Sequence, residues 1–361
     1  MSASQYFSAS YAEARERFRA TVAAAGGALD SVANPNKGPA GEDLSADAAW
    51  FGRKGAERAL VLVSGTHGVE GFCGSGCQIG WIAVGGPQRL PAGLGVLVIH
   101  AINPHGFAWL RRVTEDNVDL NRNYVDFAKP LPQNPAYDEI AWAVCPADWS
   151  EQGQAAARRV LDAYADKHGR LALQAAVSRG QYKHKDGLFY GGAGPTWSRR
   201  TFTALARRHL KSAAHVAMID FHTGLGPYGH GELICPHPVD SPVTRRAEAW
   251  FGKEMTVPAR GNSSSAVIVG TMGRGLQTAA PQAAFTDIGL EYGTLPQNDV
   301  MLALRADNWL HVHGDLDSPQ GKAIKAQIRA AFYQDKDDWK EMIFKRALDV
   351  IGRAAGNLAK A

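Results

Sequence analysis

Three short apolar runs, each ending in a polar cluster, constrain this chain more than any other feature. The first, Ala59-Leu60-Val61-Leu62-Val63, has the length and β-branched content of a buried strand and leads into Ser64-Gly65-Thr66-His67-Gly68-Val69-Glu70-Gly71. Glycines at 65, 68 and 71 allow a tight backbone just past the strand end. A histidine and a glutamate three residues apart in such a turn can bite one Zn²⁺, and both are ligand types that zinc accepts. Alone, the pair reads more readily as a loop with solvated polar side chains, so the other two runs matter.

The second run, Leu94 to Ile102, ends in Asn103-Pro104-His105-Gly106-Phe107, a turn signal. It is followed by Arg111-Arg112-Val113-Thr114-Glu115-Asp116-Asn117-Val118-Asp119-Leu120-Asn121-Arg122-Asn123-Tyr124. That stretch has no clean period, and its polar groups must be satisfied by a network or a ligand. The third run, His215 to Phe221, delivers His222-Thr223-Gly224. In an open α/β sheet, ligands bind beyond the carboxyl ends of the strands, so three strand ends can converge on one site. His67, Glu70 and His222 would then form a His₂Glu set with water in the fourth place, a catalytic pattern for zinc. Asp220 is a competing carboxylate that could instead orient a ligand from behind. His105 also competes, whereas His100, inside a strand, reads as a core or supporting group. A zinc site of this kind needs a free carboxylate as base and proton shuttle. Glu291, in Gly289-Leu290-Glu291-Tyr292-Gly293-Thr294, is the candidate, because an unpaired carboxylate in an apolar strand is costly. Taken alone it could equally be half of an ion pair with an arginine from 111–122.

These segments, in this order, resemble the zinc carboxypeptidase (M14) superfamily: His67-x-x-Glu70, Asn103-Pro104-x-Gly106, Asp119-Leu120-Asn121-Arg122-Asn123, Asp220-Phe221-His222-Thr223 and Leu290-Glu291-Tyr292. The His-Gly-x-Glu turn and the Asp-x-His-Thr segment also resemble its aspartoacylase and succinylglutamate desuccinylase branch, and the nearest resemblance is to the DUF2817 family. The resemblance spans about residues 55 to 300. It implies a single α/β domain over residues 1–361, with a mixed, mostly parallel sheet and helices on both faces. It implies one zinc on His67, Glu70 and His222, with Glu291 as general base. Asn121 and Arg122 match the pair that holds a substrate carboxylate, for which a bidentate guanidinium is suited. A preceding arginine matches the group that stabilises the oxyanion, with Arg112 first and Arg111 second. The mobile active-site tyrosine of that superfamily has no clear counterpart; Tyr190, Tyr228 and Tyr292 are the candidates. An apparent insertion at about 128–200, carrying the aromatic and glycine-rich loop 181–197, is expected to set the substrate. The implied reaction is hydrolysis of an amide beside a free carboxylate, on a peptide C-terminus or an N-acyl amino acid. The rivals are an esterase using the same site and an idle metal-binding recognition module.

Elsewhere the pattern predicts helices at 8–25, Cys73–Val84, 151–168, 170–179, 198–211, 241–253, 297–313, 319–334 and 337–356, a strand at 285–292, and loops at 31–48, 128–150 and 259–282. Cys73 and Cys77 read as small buried residues on a helix. Hydrophobic residues make up 45% of the 361, enough for a full core. A net charge of +4, carried by scattered basic residues, does not point to nucleic acid. Four cysteines in a chain of this length suggest no disulfide scaffold and fit a reducing, cytoplasmic compartment. No secretory signal or membrane-spanning run is visible.

Overall fold

In the computed structural model, which describes residues 2–361, all strands belong to one eight-stranded sheet. They are β1 (Ala28–Lys37), β2 (Asp43–Gly52), β3 (Arg58–Val63), β4 (Leu94–His100), β5 (His215–Tyr228), β6 (Gly231–Ile234), β7 (Met255–Thr256) and β8 (Ala284–Gly293), in the order β1-β2-β4-β3-β5-β8-β6-β7. The four inner strands β4, β3, β5 and β8 run parallel. β2 pairs antiparallel with β4, and β6 antiparallel with β8. Parallel strands covered on both faces read as continuous apolar runs, which is why three of the four are obvious in the sequence.

Alternation along these strands builds two cores. Leu60, Leu62, Val98, Ile219 and Phe221 face the helices Tyr11–Ala24, Gly71–Ala83 and Asp337–Leu358. Val61, Val63, Leu97, Ile99, Val216 and Met218 face the helices Trp197–Leu210 and Met272–Ala279. The helix Gly71–Ala83 lies close to its sheet because Gly74 has no side chain: a Cβ there would sit 2.6 Å from the Ser64 Cβ. Cys73 and Cys77 are buried on that helix, as expected.

The expected loops need correction. Residues 31–48 fall in the β1–β2 hairpin, and β1 is an exposed edge strand whose polar sequence looks like a loop. Residues 128–150 contain the helix Pro135–Val144, and 259–282 contain the helix Met272–Ala279. Two glycines inside the latter, at 273 and 275, masked it. Residues 128–200 hold three helices, Pro135–Val144, Glu151–His168 and Arg170–Ser178, and the start of a fourth at Trp197. Tyr137, Ile140, Val177, Leu188 and Phe189 pack with Val300, Leu304 and Phe332 into a separate apolar cluster. No helix among the described residues is long and apolar enough to cross a membrane.

Candidate functional site

The turn after β3 holds His67 and Glu70, with Gly68–Glu70 forming a single 3₁₀ turn. It is clamped from outside: the Gly68 and Val69 amides donate to the carbonyls of Arg112 (3.1 Å) and Arg111 (2.8 Å). Gly68 makes this possible, since a Cβ there would lie 2.0 Å from the carbonyl carbon of Gly106. His222 stands on β5, in register with Glu291 on β8, so both project from the same face of the sheet.

The metal-ligand set expected from the sequence is brought together. The donor atoms of His67, Glu70 and His222 lie within 4.8 Å of one another, and all three residues are buried. Both Nδ1 atoms face one carboxylate: His67 Nδ1 is 2.9 Å from Glu70 Oε1, and His222 Nδ1 is 2.9 Å from Glu70 Oε2. The opposite nitrogens face carboxylates, and the Asn121 amide nitrogen also stands 3.3 Å from His222 Nε2. His67 Nε2 is 3.2 Å from Asp119 Oδ1, and His222 Nε2 is 2.8 Å from Asp220 Oδ2. Asp220 therefore stands behind His222, with Thr66 donating to its other oxygen at 2.6 Å.

The donor set fits a divalent cation. Carboxylates behind each imidazole favour the N–H on Nε2, which turns the Nδ1 lone pairs toward Glu70. Nδ1 atoms facing a carboxylate at 2.9 Å call for positive charge there, which a bound cation or ring protons supply. With neutral imidazoles, Glu70, Asp119 and Asp220 face only Arg112 and Arg122, leaving one negative charge uncompensated even with Glu291 protonated. The same demand appears in the titrations. Burial opposes charge on Glu70, yet His67 and His222 outweigh it and hold the carboxyl below its usual range. Burial likewise opposes a charged His222, yet Asp220 and Glu70 push it well above its usual value.

Arg112 donates from Nε to Asp119 (3.0 Å) and from Nη1 to Glu70 (3.2 Å), and its guanidinium stacks over the Phe189 ring at 5.2 Å. Arg122 shares that ring at 5.4 Å and donates to the carbonyls of Ser178 and Asn121. Asn121 is partly committed within the protein, with Oδ1 accepting from the Met272 amide at 2.9 Å. Glu291 accepts from the Leu225 amide at 2.9 Å. Burial, then the neighbouring Glu70 charge, raises it to about 8. His67, Arg112, Asn121, Arg122, His222 and Glu291 all line one cavity of 640 Å³.

Four expected site residues lie elsewhere. Arg111 turns away from the cavity and donates to Asn117 (3.0 Å) and Asp307 (3.5 Å). Tyr292 alternates with Glu291 and so faces the opposite core, its hydroxyl donating to the Ile343 carbonyl at 3.0 Å. Tyr190 contributes its carbonyl to the Asp119 amide (2.8 Å), and its ring is outside the cavity. Tyr228 is also outside, bonded to Asp338. Among the described residues, no tyrosine lines the cavity. His100 is a core group, stacked on Phe18 at 4.4 Å. Sequence reasoning assigned no role to Asp119, Phe189, His237 or Asp287. Asp119 could have been found as the polar residue capping Leu120–Asn123; the other three are too far apart in sequence to signal a shared wall.

A family model described as a protein of unknown function (DUF2817) matches residues 7–346. The chain belongs to the DUF2817 family. Carboxypeptidase A from Helicoverpa armigera shares the fold of this DUF2817 chain, at a TM-score of 0.53 and 12% identity, covering 98% of this chain and 74% of that one. The succinylglutamate desuccinylase of Chromobacterium violaceum is similar over 90% of this chain and 73% of its own, at 14% identity and a TM-score of 0.39. A murein-tripeptide amidase from Escherichia coli O157 is similar over 80% of this chain and 90% of its own, at 15% identity and a TM-score of 0.35. No curated protein matches the sequence.

Proposed function

We propose that this DUF2817 protein is a zinc-dependent hydrolase that cleaves an amide bond beside a free carboxylate. The observation that carries the reading is one face of one cavity. Two imidazoles and Glu70 converge there, each imidazole backed by a carboxylate, with Glu291 beside them on the neighbouring strand. His67, Glu70 and His222 would hold the zinc, which when bound supplies water of lowered pKa and polarises a carbonyl. Glu291 takes the proton from the attacking water and returns it to the departing amine nitrogen. The pKa rise produced by burial and the neighbouring Glu70 charge suits a group that must both accept and release a proton near neutral pH. Arg112, held by Asp119 and stacked on Phe189, points its remaining donors at developing oxyanion charge. Arg122, beside it, offers the planar guanidinium for a substrate carboxylate. Amide cleavage agrees with what the carboxypeptidase A that shares this fold is named for.

A small substrate fits better than a long chain. Gln174, on the helix Arg170–Ser178, donates to the Ser264 carbonyl at 3.0 Å. That bond joins the 128–200 segment to the loop before Met272, and both line the cavity. An N-acyl amino acid or short peptide fills 640 Å³ without breaking it.

Glu291→Gln tests the reading. The change is nearly isosteric, so the variant should fold and bind one zinc like the wild type, while kcat against N-acyl amino acids falls by about 10² or more. A variant that keeps full turnover would show that the base lies elsewhere.

A further inference from the structure

Arg112 and Arg122 carry two like charges side by side, and one carboxylate serves both. Asp119 lies 3.0 Å from Arg112 Nε and 3.7 Å from Arg122 Nη1, and both arginine side chains are largely buried. Arg112 also reaches Glu70 at 3.2 Å, whereas among the described residues Asp119 is the one carboxylate within 4.0 Å of Arg122. Two cations packed this way, out of water, need a further partner. What they share is the Phe189 ring, whose centroid is 5.2 Å from the Arg112 guanidinium carbon and 5.4 Å from that of Arg122. The negative face of an aromatic ring attracts a guanidinium, and more strongly where water is excluded.

The backbone goes out of its way to put that ring there. Phe189 has φ +56°, in the left-handed region that a bulky aromatic residue rarely enters. Such a conformation persists only where the surroundings over-determine it, and it concentrates at functional sites. Here the Phe189 carbonyl accepts from the Gln181 amide at 3.1 Å, and the Leu188 amide donates to Cys145 Sγ at 3.3 Å. The Tyr190 carbonyl accepts from the Asp119 amide at 2.8 Å, which ties the loop that carries the ring to the carboxylate that both arginines use. The ring itself is 4% exposed and belongs to the apolar cluster of Tyr137, Ile140, Val300, Leu304 and Phe332.

We propose that Phe189 is a positioning residue: its ring seats the guanidiniums of Arg112 and Arg122 together, so that the loop 181–190 governs oxyanion stabilisation and carboxylate binding at once. The roles of the two arginines rest on the hydrolase reading; the seating does not. Without the ring both side chains keep Asp119 but lose the surface that fixes their planes, and a small displacement of a positioned donor is enough to slow a reaction severely. An aliphatic side chain fills the volume but has no quadrupole, so the role requires an aromatic face and not bulk alone.

The test uses three variants of the zinc-loaded full chain. Phe189→Leu removes the aromatic face, Phe189→Tyr keeps it, and Ile140→Ala opens a gap in the same apolar cluster while leaving the ring in place. Against N-acetyl-L-amino acids, Phe189→Leu should lower kcat about tenfold and raise KM about fivefold, because it disturbs both arginines. Phe189→Tyr should restore both constants to within about threefold of wild type. Ile140→Ala should lose stability yet keep both constants per folded molecule within about twofold. A second readout needs no turnover. In ¹⁵N-arginine-labelled protein, two Nε–H signals, assigned by their loss in Arg112→Met and Arg122→Lys, should be shifted upfield by the ring current. Both shifts should vanish in Phe189→Leu and persist in Phe189→Tyr and Ile140→Ala. Unshifted wild-type signals overturn the proposal, as do wild-type constants in folded Phe189→Leu or an equal loss of activity in Ile140→Ala. If Phe189→Leu does not fold, Phe189→Met takes its place with the same expectations. If the wild type hydrolyses nothing but the shifts behave as expected, the seating stands and the hydrolase reading falls. If the shifts are absent as well, both fall.

Discussion

Arg111 and Arg112 are adjacent in the chain, yet they belong to two buried charge clusters of opposite character. Arg112 enters a cluster dominated by carboxylates: Glu70, Asp119, Asp220 and Glu291, opening into a cavity. Arg111 enters a closed cluster around Asp307, which also receives Lys325. Burial, and then the charges of Arg111 and Lys325, push two nearby histidines down, His105 to about 4 and His311 further. None of Arg111, Asp307, Lys325, His105 or His311 lines the cavity. The closed cluster has an excess of positive charge, keeps its histidines neutral and has no use for a cation. The open one has an excess of negative charge and pushes His222 up. A buried polar network therefore points to chemistry when its charge is left unbalanced toward a cavity. A network closed off from any cavity reads as structural.

The largest effect that could break this contrast is metal loss. His222→Ala removes one of three converging donors and should weaken zinc binding by at least about 10³-fold, whereas His311→Ala should leave it unchanged. Metal content after dialysis against a chelator measures both. Equal retention in the two variants would erase the distinction between the clusters.

Next come the two arginines themselves. Arg111→Met leaves buried Asp307 with Lys325 as its main cation, and should cost about 3 kcal/mol of stability with turnover per folded molecule intact. Arg112→Met should lower kcat by about 10² through loss of oxyanion stabilisation. Urea unfolding paired with single-substrate kinetics separates the two, and a reversal of the pattern would exchange the assignments.

A smaller effect distinguishes the clusters in acid. In the unfolded chain His105 takes a proton near 6.5, but in the folded chain it stays neutral down to about 4. Between those values the unfolded state binds more protons, so stability falls as pH falls through the window. Allowing for the partial exposure of His105, the loss is on the order of 2 kcal/mol. His105→Gln should reduce it, and unfolding free energies at both ends of the window measure it. An acid loss unchanged in His105→Gln would place its source elsewhere.

The smallest predicted change concerns Arg122. Arg122→Lys keeps the charge but loses the planar fork, and should raise KM about tenfold for substrates with a free α-carboxylate. Substrates capped as amides should be poor for wild type and variant alike. If the wild type cleaves capped and free substrates equally well, no carboxylate anchor exists at Arg122.

Much of this molecule is written in local sequence. The inner strands β3, β4 and β5 begin as continuous apolar runs because both of their faces are covered, and most helices carry their own period and stops. The convergence of His67, Glu70 and His222 followed from ligand types placed just past strand ends. Other features had no local signal. The edge strand β1 reads as a loop because its stability comes from pairing with β2. Tyr292 is adjacent to Glu291, but strand alternation sends it to the other side of the sheet. The choice between Arg111 and Arg112 is decided by a backbone that donates both carbonyls to one turn while sending the side chains to opposite sides. The pairing of His237 with Asp287 joins residues fifty positions apart. Periodicity and residue type are properties of a segment, and they indicated most of the elements and the three residues that could hold a metal. Which side chain meets which across the sheet depends on register and packing between segments, and only the tertiary structure supplies these.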